Sequence, residues 1–223
     1  MSRIVHGGVF LILSCLPGVG QDHSHQAVHE DSVTATARVV GQRYCHVDSE
    51  SFAVIMDVDL ELMNSTDQPV IVSRHVEPFA IRVAKNMEEA KRGDFEYEPN
   101  FDYFTSGKEP PVPTLGKAPD SKNFAVLAPG TSYVTRTSAS VFGFQETAKS
   151  RRGLLARGTH VFQLGVDLWP YHWPYFDRDI NPKDISERWR EYGHLAVGTV
   201  EPDFTPFSIP DKFRNPPCPA AKH

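Results

Sequence analysis

Between Ser51 and Val72 the chain reads SFAVIMDVDLELMNSTDQPVIV, and no other stretch constrains the fold so tightly. Phe52, Val54, Met56, Val58, Leu60 and Leu62 occupy every second position, with Asp57, Asp59 and Glu61 between the later ones. In an extended strand successive side chains point to opposite faces, so this alternation describes a strand with one face in a core and one in water. A register slip of one residue would drive the three carboxylates inward. Asn64, Ser65, Thr66, Asp67 and Pro69 then interrupt the pattern with turn chemistry, and Val70, Ile71 and Val72 resume it. The expectation is a long central strand, a turn and a return strand.

The N-terminal stretch reads as an address. Arg3 supplies a positive charge, Val9–Leu13 an apolar centre, and Gly18 and Gly20 the small residues before a cut at Gln21. Residues 1–20 are therefore expected to be a secretory signal peptide. A second processing route competes: Ile12-Leu13-Ser14-Cys15 resembles the lipobox of bacterial lipoproteins, which would lipidate Cys15 and leave a lipid anchor. The apolar run is too short for the ~20 residues of a transmembrane helix. The expected location is periplasmic or extracellular, with membrane anchoring as the alternative.

Of the three cysteines, Cys15 leaves with the signal or carries lipid, so Cys45 and Cys218 remain. An even number in an oxidising compartment predicts a disulfide between them, the alternative being two free thiols. The 223 residues carry a net charge of −5, which gives no electrostatic case for nucleic acid. The apolar fraction of 40% suffices for a core.

Residues 21–32 hold His23, His25 and His29 without apolar periodicity and are expected to form a flexible leader. After a cut at Gln21, His23 is the third residue of the mature chain. Its imidazole, the terminal amine and two amide nitrogens can then wrap Cu(II) or Ni(II), unless Gln21 cyclises. Apart from that weak metal possibility the sequence implies no cofactor.

Further strands are expected over Val33–Val40, Pro78–Ala84, Phe124–Leu127, Tyr133–Val141, Thr159–Leu168, His194–Val200 and Phe204–Ile209. Residues 86–123 have few aliphatic side chains and a proline-rich end, and read as one long irregular insertion. Asp184–Tyr192 is the one expected helix, with Asp184 as N-cap and Gly193 as stop. Residues 33–210 thus form the expected domain and 211–223 a C-terminal tail.

Three segments, DVDLELMNSTDQPVIV, LAPGTSYVTRTSASV and GLLARGTHVFQLGVDLW, resemble immunoglobulin-like sandwich domains of exported bacterial proteins. A weaker likeness to BsuPI-type proteinase inhibitor domains rests on the same segments. The resemblance implies an all-β, antiparallel immunoglobulin-like β-sandwich and no particular activity.

Trp169, Tyr171, Trp173 and Tyr175 form the strongest candidate binding loop, since Trp and Tyr offer large rigid contact area. Such rings can also close one end of the sandwich against the helix. Asp57, Asp59 and Glu61 share one strand face, which is either a solvated face or a substrate or calcium flank. Asn64-Ser65-Thr66 fits a glycosylation acceptor but reads as turn chemistry. His160, His172 and His194 lie apart in sequence, and no catalytic motif is present. The leading expectation is an exported non-enzymatic protein that binds a protein or glycan partner. The alternatives are a secreted hydrolase with acidic residues near the aromatic loop and a secreted protease inhibitor.

Overall fold

The computed structural model describes residues 32–49, 51–97, 113, 115–144, 155–171, 181–214 and 216–218. Its first half holds strands β1 (Val33–His46), β2 (Ser51–Asn64), β3 (Val70–Ser73) and β4 (Glu77–Ala84), then helix α1 (Met87–Arg92). After it come β5 (Phe124–Leu127), β6 (Ser132–Phe144) and β7 (Gly158–Asp167). Helix α2 (Pro182–Trp189) is followed by β8 (His194–Leu195), β9 (Thr199–Val200) and β10 (Thr205–Ile209).

The protein is mostly β and its sheets are largely antiparallel. One sheet has the order β1-β2-β6 and a second the order β10-β7-β4, with β9 on β7. A third, β5-β3-β8, contains the parallel pairing β3–β8. The alternating stretch behaves as its pattern requires. Phe52, Val54, Met56, Val58, Leu60 and Leu62 are all 0% exposed. Burial of side chains of this size stabilises by about 1.5–3 kcal/mol each. Opposite them in the same cluster lie Ile81, Val83, Phe162, Leu164, Val166, Phe207 and Ile209 from the second sheet. One core therefore draws on the inner faces of both sheets.

The return strand does not return. β3 pairs with β5 and β8 rather than with β2. Asn64 explains the departure, because it is wholly buried and ties the chain in two directions. Its Nδ2 donates to Gln68 O (2.8 Å) and Leu127 O (2.9 Å), while its Oδ1 accepts from the Thr66 N–H (2.9 Å) and hydroxyl (2.8 Å). The end of β2 is thereby fastened to the end of β5, and the chain enters another layer. There Val70 and Val72 face the main core while Ile71 faces a second cluster on the far side. All three are fully buried, so this short strand is covered on both faces.

The first strand is longer than its pattern implied. It continues from Val33 through an irregularity between Val39 and Gly41 to His46. An extra residue there resets the register, which is why the alternation fades after Val40. The residue 86–123 insertion is also not irregular throughout. Asn86 caps α1 by accepting from Glu88 N and Glu89 N, and Gly93 ends it at φ 77°. Glu96 and Tyr97 then hydrogen-bond to Val83 at the edge of β4. The second helix begins earlier than the sequence suggested. Asn181, not Asp184, is its cap and accepts from Lys183 N (3.0 Å). Pro182, whose φ is set for a first helical turn, follows it.

Candidate functional site

Trp169 and Tyr171 do not form an exposed platform. Trp169 is 5% exposed and Tyr171 0%. With Ile71, Phe124, Ile185, Trp189 and Leu195 they form the second cluster, between α2 and the β5-β3-β8 sheet. Phe124 lies at their centre, 4.8 Å from the Trp189 ring and 5.7 Å from that of Tyr171. The Tyr171 hydroxyl meets Ser73 Oγ at 3.1 Å, and burial pushes its pKa up. Trp189 Nε1 donates to Gly116 O (3.1 Å) and Arg188 to Leu115 O (2.8 Å), so α2 also holds the end of the proline-rich segment. These two rings pack against the helix, the other arrangement open to them in the sequence. Trp173 and Tyr175 lie outside the described residues, as do His23, Cys15 and His172.

Asp57, Asp59 and Glu61 line the outer face of β2, and each is engaged. Arg43 Nη2 lies 2.9 Å from Asp57 Oδ1, Arg136 Nε 2.6 Å from Asp59 Oδ1, and Ser132 Oγ donates to Glu61 Oε1 at 2.6 Å. The hydrogen bond from Arg136 holds the Asp59 carboxyl below the ordinary carboxylate range. Cross-strand neighbours from β1 and β6 therefore pair Asp57 and Asp59 with arginines and hydrogen-bond Glu61, which makes the row a laced surface. Among the described residues no group of three or more His, Cys, Asp and Glu is placed to hold a metal ion. His160 is buried, with Nδ1 2.9 Å from Glu96 Oε2 and Nε2 2.9 Å from Ala156 O. His194 is half-buried in β8.

A further arrangement lies where the end of β1 meets the segment Pro216–Cys218. Cys45 near the end of β1 is joined to Cys218, with Cα atoms 4.7 Å apart. Two backbone hydrogen bonds reinforce the junction, His46 N–H to Pro216 O (2.8 Å) and Cys218 N–H to His46 O (3.1 Å). Upstream, Phe213 stacks on Tyr44 at 4.1 Å, lies 5.0 Å from Phe52, and carries the Arg157 guanidinium over its ring at 5.2 Å. The tail is thus held by an aromatic plug, a short strand pairing and a covalent bond. Between it and β1 lies an open depression of about 430 Å³. Tyr44, Cys45, Ile55, Pro216 and Pro217 give it apolar walls, and Gln42, Arg43 and Arg214 bring polar groups to it. The Tyr44 hydroxyl donates to Gln42 Oε1 (3.0 Å), and burial raises its pKa.

No protein-family model, curated protein or solved structure matches this chain. Neither Arg43 nor Arg214 stands out in the sequence. A signal was present for one of them: Arg43 is two residues from Cys45, hence on the same face of the same strand. Nothing local marks Arg214, which is brought there by the plug and the disulfide.

Proposed function

We propose that this chain is an exported, non-enzymatic protein with an immunoglobulin-like β-sandwich, binding a partner protein in the cell envelope or outside the cell. The observation that carries the reading is the open depression beside the Cys45–Cys218 bond. A trough with apolar walls and guanidinium groups at hand, fixed by a covalent staple, is a preorganised contact surface. Two facing sheets around one core support the sandwich. A disulfide that fastens the C-terminal tail supports an oxidising compartment, in keeping with the signal-like residues 1–20. A glycan partner is less favoured, because Trp169 and Tyr171 are committed to the core.

The reading is tested by a photo-crosslinking residue placed at Gln42 in the natively exported protein. Adducts to a defined envelope or secreted protein are expected from Gln42. None are expected from Val126, an exposed position on the third sheet. Absence of adducts at Gln42, or the same adducts from both positions, sinks the reading.

A further inference from the structure

We propose that the depression beside the disulfide takes an acidic, extended segment of a partner polypeptide; this rests on the binding reading above and names the partner's chemistry. The whole chain is net negative at −5, yet among the described residues two arginines and no carboxylate line this depression, the nearest acidic partner being Asp57 behind Arg43. Arg43 is 63% exposed in its side chain although it meets Asp57 at 2.9 Å. Arg214 is exposed and makes no ion pair among the described residues. Guanidinium groups bind carboxylates through paired N–H donors and are weakly hydrated, so they suit a contact that is partly desolvated.

The shape argues for a segment of a macromolecule rather than a free anion. Small ligands are commonly buried over most of their surface, which an open trough does not provide. A polypeptide can lay one stretch in the trough and make further contacts outside it. Ile55, Pro216, Pro217 and the disulfide offer apolar contact to the peptide backbone and its methylenes, while Arg43 and Arg214 meet its acidic side chains. The prolines cannot donate backbone hydrogen bonds, so this wall recognises shape and leaves the polar selection to the arginines.

The disulfide makes the surface conditional. Pro216 and Pro217 face Tyr44 and Cys45 because Cys218 is anchored, and Arg214 is carried on the same tail. Reduction should therefore dismantle the acidic-segment site before it disturbs the sheets.

The test uses a fluorescein-labelled decapeptide of alternating glutamate and proline, with the glutamine–proline version as control, on the oxidised mature protein. Anisotropy should show salt-sensitive binding of the glutamate probe and not of the control. Arg214→Glu should weaken binding by about tenfold or more, the scale of losing one charge-assisted pair. Arg190→Glu, which makes the same charge change at the exposed end of α2 and does not line the depression, should leave it within about twofold. The Cys45→Ser, Cys218→Ser variant, checked for retained sheet by circular dichroism, should lose binding. Equal binding of both probes, equal loss in the Arg214 and Arg190 variants, or no binding of the glutamate probe each overturns the inference. If crosslinks from Gln42 persist in that case, the partner is of another chemistry and the binding reading stands.

Discussion

Single residues decide where this chain turns. Asn64 has a buried amide whose four hydrogen bonds join β2, the following turn and β5. Asn64→Ala leaves the Leu127 and Gln68 carbonyls without these donors and is expected to cost about 2–3 kcal/mol in chemical denaturation. Asn64→Asp should cost at least as much despite its similar size, because it sets a carboxylate oxygen against two carbonyl oxygens. The same burial leaves no room for a sugar at Nδ2, so the acceptor-like triplet acts as turn chemistry in the folded chain. Asp59 supplies the pH dependence at this scale. Its folded-state pKa is held down, first by the Arg136 hydrogen bond, then by the charges of Arg136 and Arg38. A depressed carboxyl contributes stability that is present above its unfolded pKa, and that contribution is lost as pH falls through the folded value. Arg136→Gln should move the Asp59 titration, followed by carboxyl ¹³C NMR, up toward the ordinary range and shift acid unfolding to higher pH. An unchanged Asp59 titration would count against this account.

Elements differ in how much of their identity is local. The alternation in β2 is complete within itself, since the period of two follows from backbone geometry. Helix α1 was equally local, with Asn86 at its start and Gly93 at its end, but it is short and lies in a stretch whose aliphatic content suggested no structure. For α2 the pair Asn181-Pro182 is the stronger start signal, and Asp184 sits in the first turn. Asn181→Ala should therefore cost about 1 kcal/mol, whereas Asp184→Ala, which removes only a favourable charge near the helix N-terminus, should cost about 0.3–1 kcal/mol. Because Ile185 and Trp189 face Phe124 and Tyr171, fraying of α2 should appear as a red shift of tryptophan emission. A larger loss at Asp184 than at Asn181 would restore Asp184 as the cap.

At the scale of the whole molecule the Cys45–Cys218 bond closes a separation of 173 residues. On the chain-entropy view so long a loop stabilises by about 5 kcal/mol, through the unfolded state. Cys45→Ser and Cys218→Ser should lower the thermal midpoint equally, and the double variant should be no worse than either. Scanning calorimetry with parallel circular dichroism reads both. Unequal single variants would mean that one cysteine matters for packing as well as for the bond. What the sequence determined by itself was most of the strands (His194–Val200, read as one strand, is instead β8 on β3 and β9 on β7), their apolar faces and the presence of two cysteines available to pair. Those follow from local periodicity and from composition. It did not determine that β3 would abandon β2, that β1 would run on past its bulge, or that Trp169 and Tyr171 would face inward. Nor did it bring Arg43 and Arg214 to one depression. A period of two states which face of a strand is apolar, but not which distant segment will cover it. An aromatic run reads the same whether water or another ring lies opposite. Those choices belong to long-range packing, in which Phe124, Asn64 and the disulfide-bound tail select among arrangements that the local pattern leaves equally open.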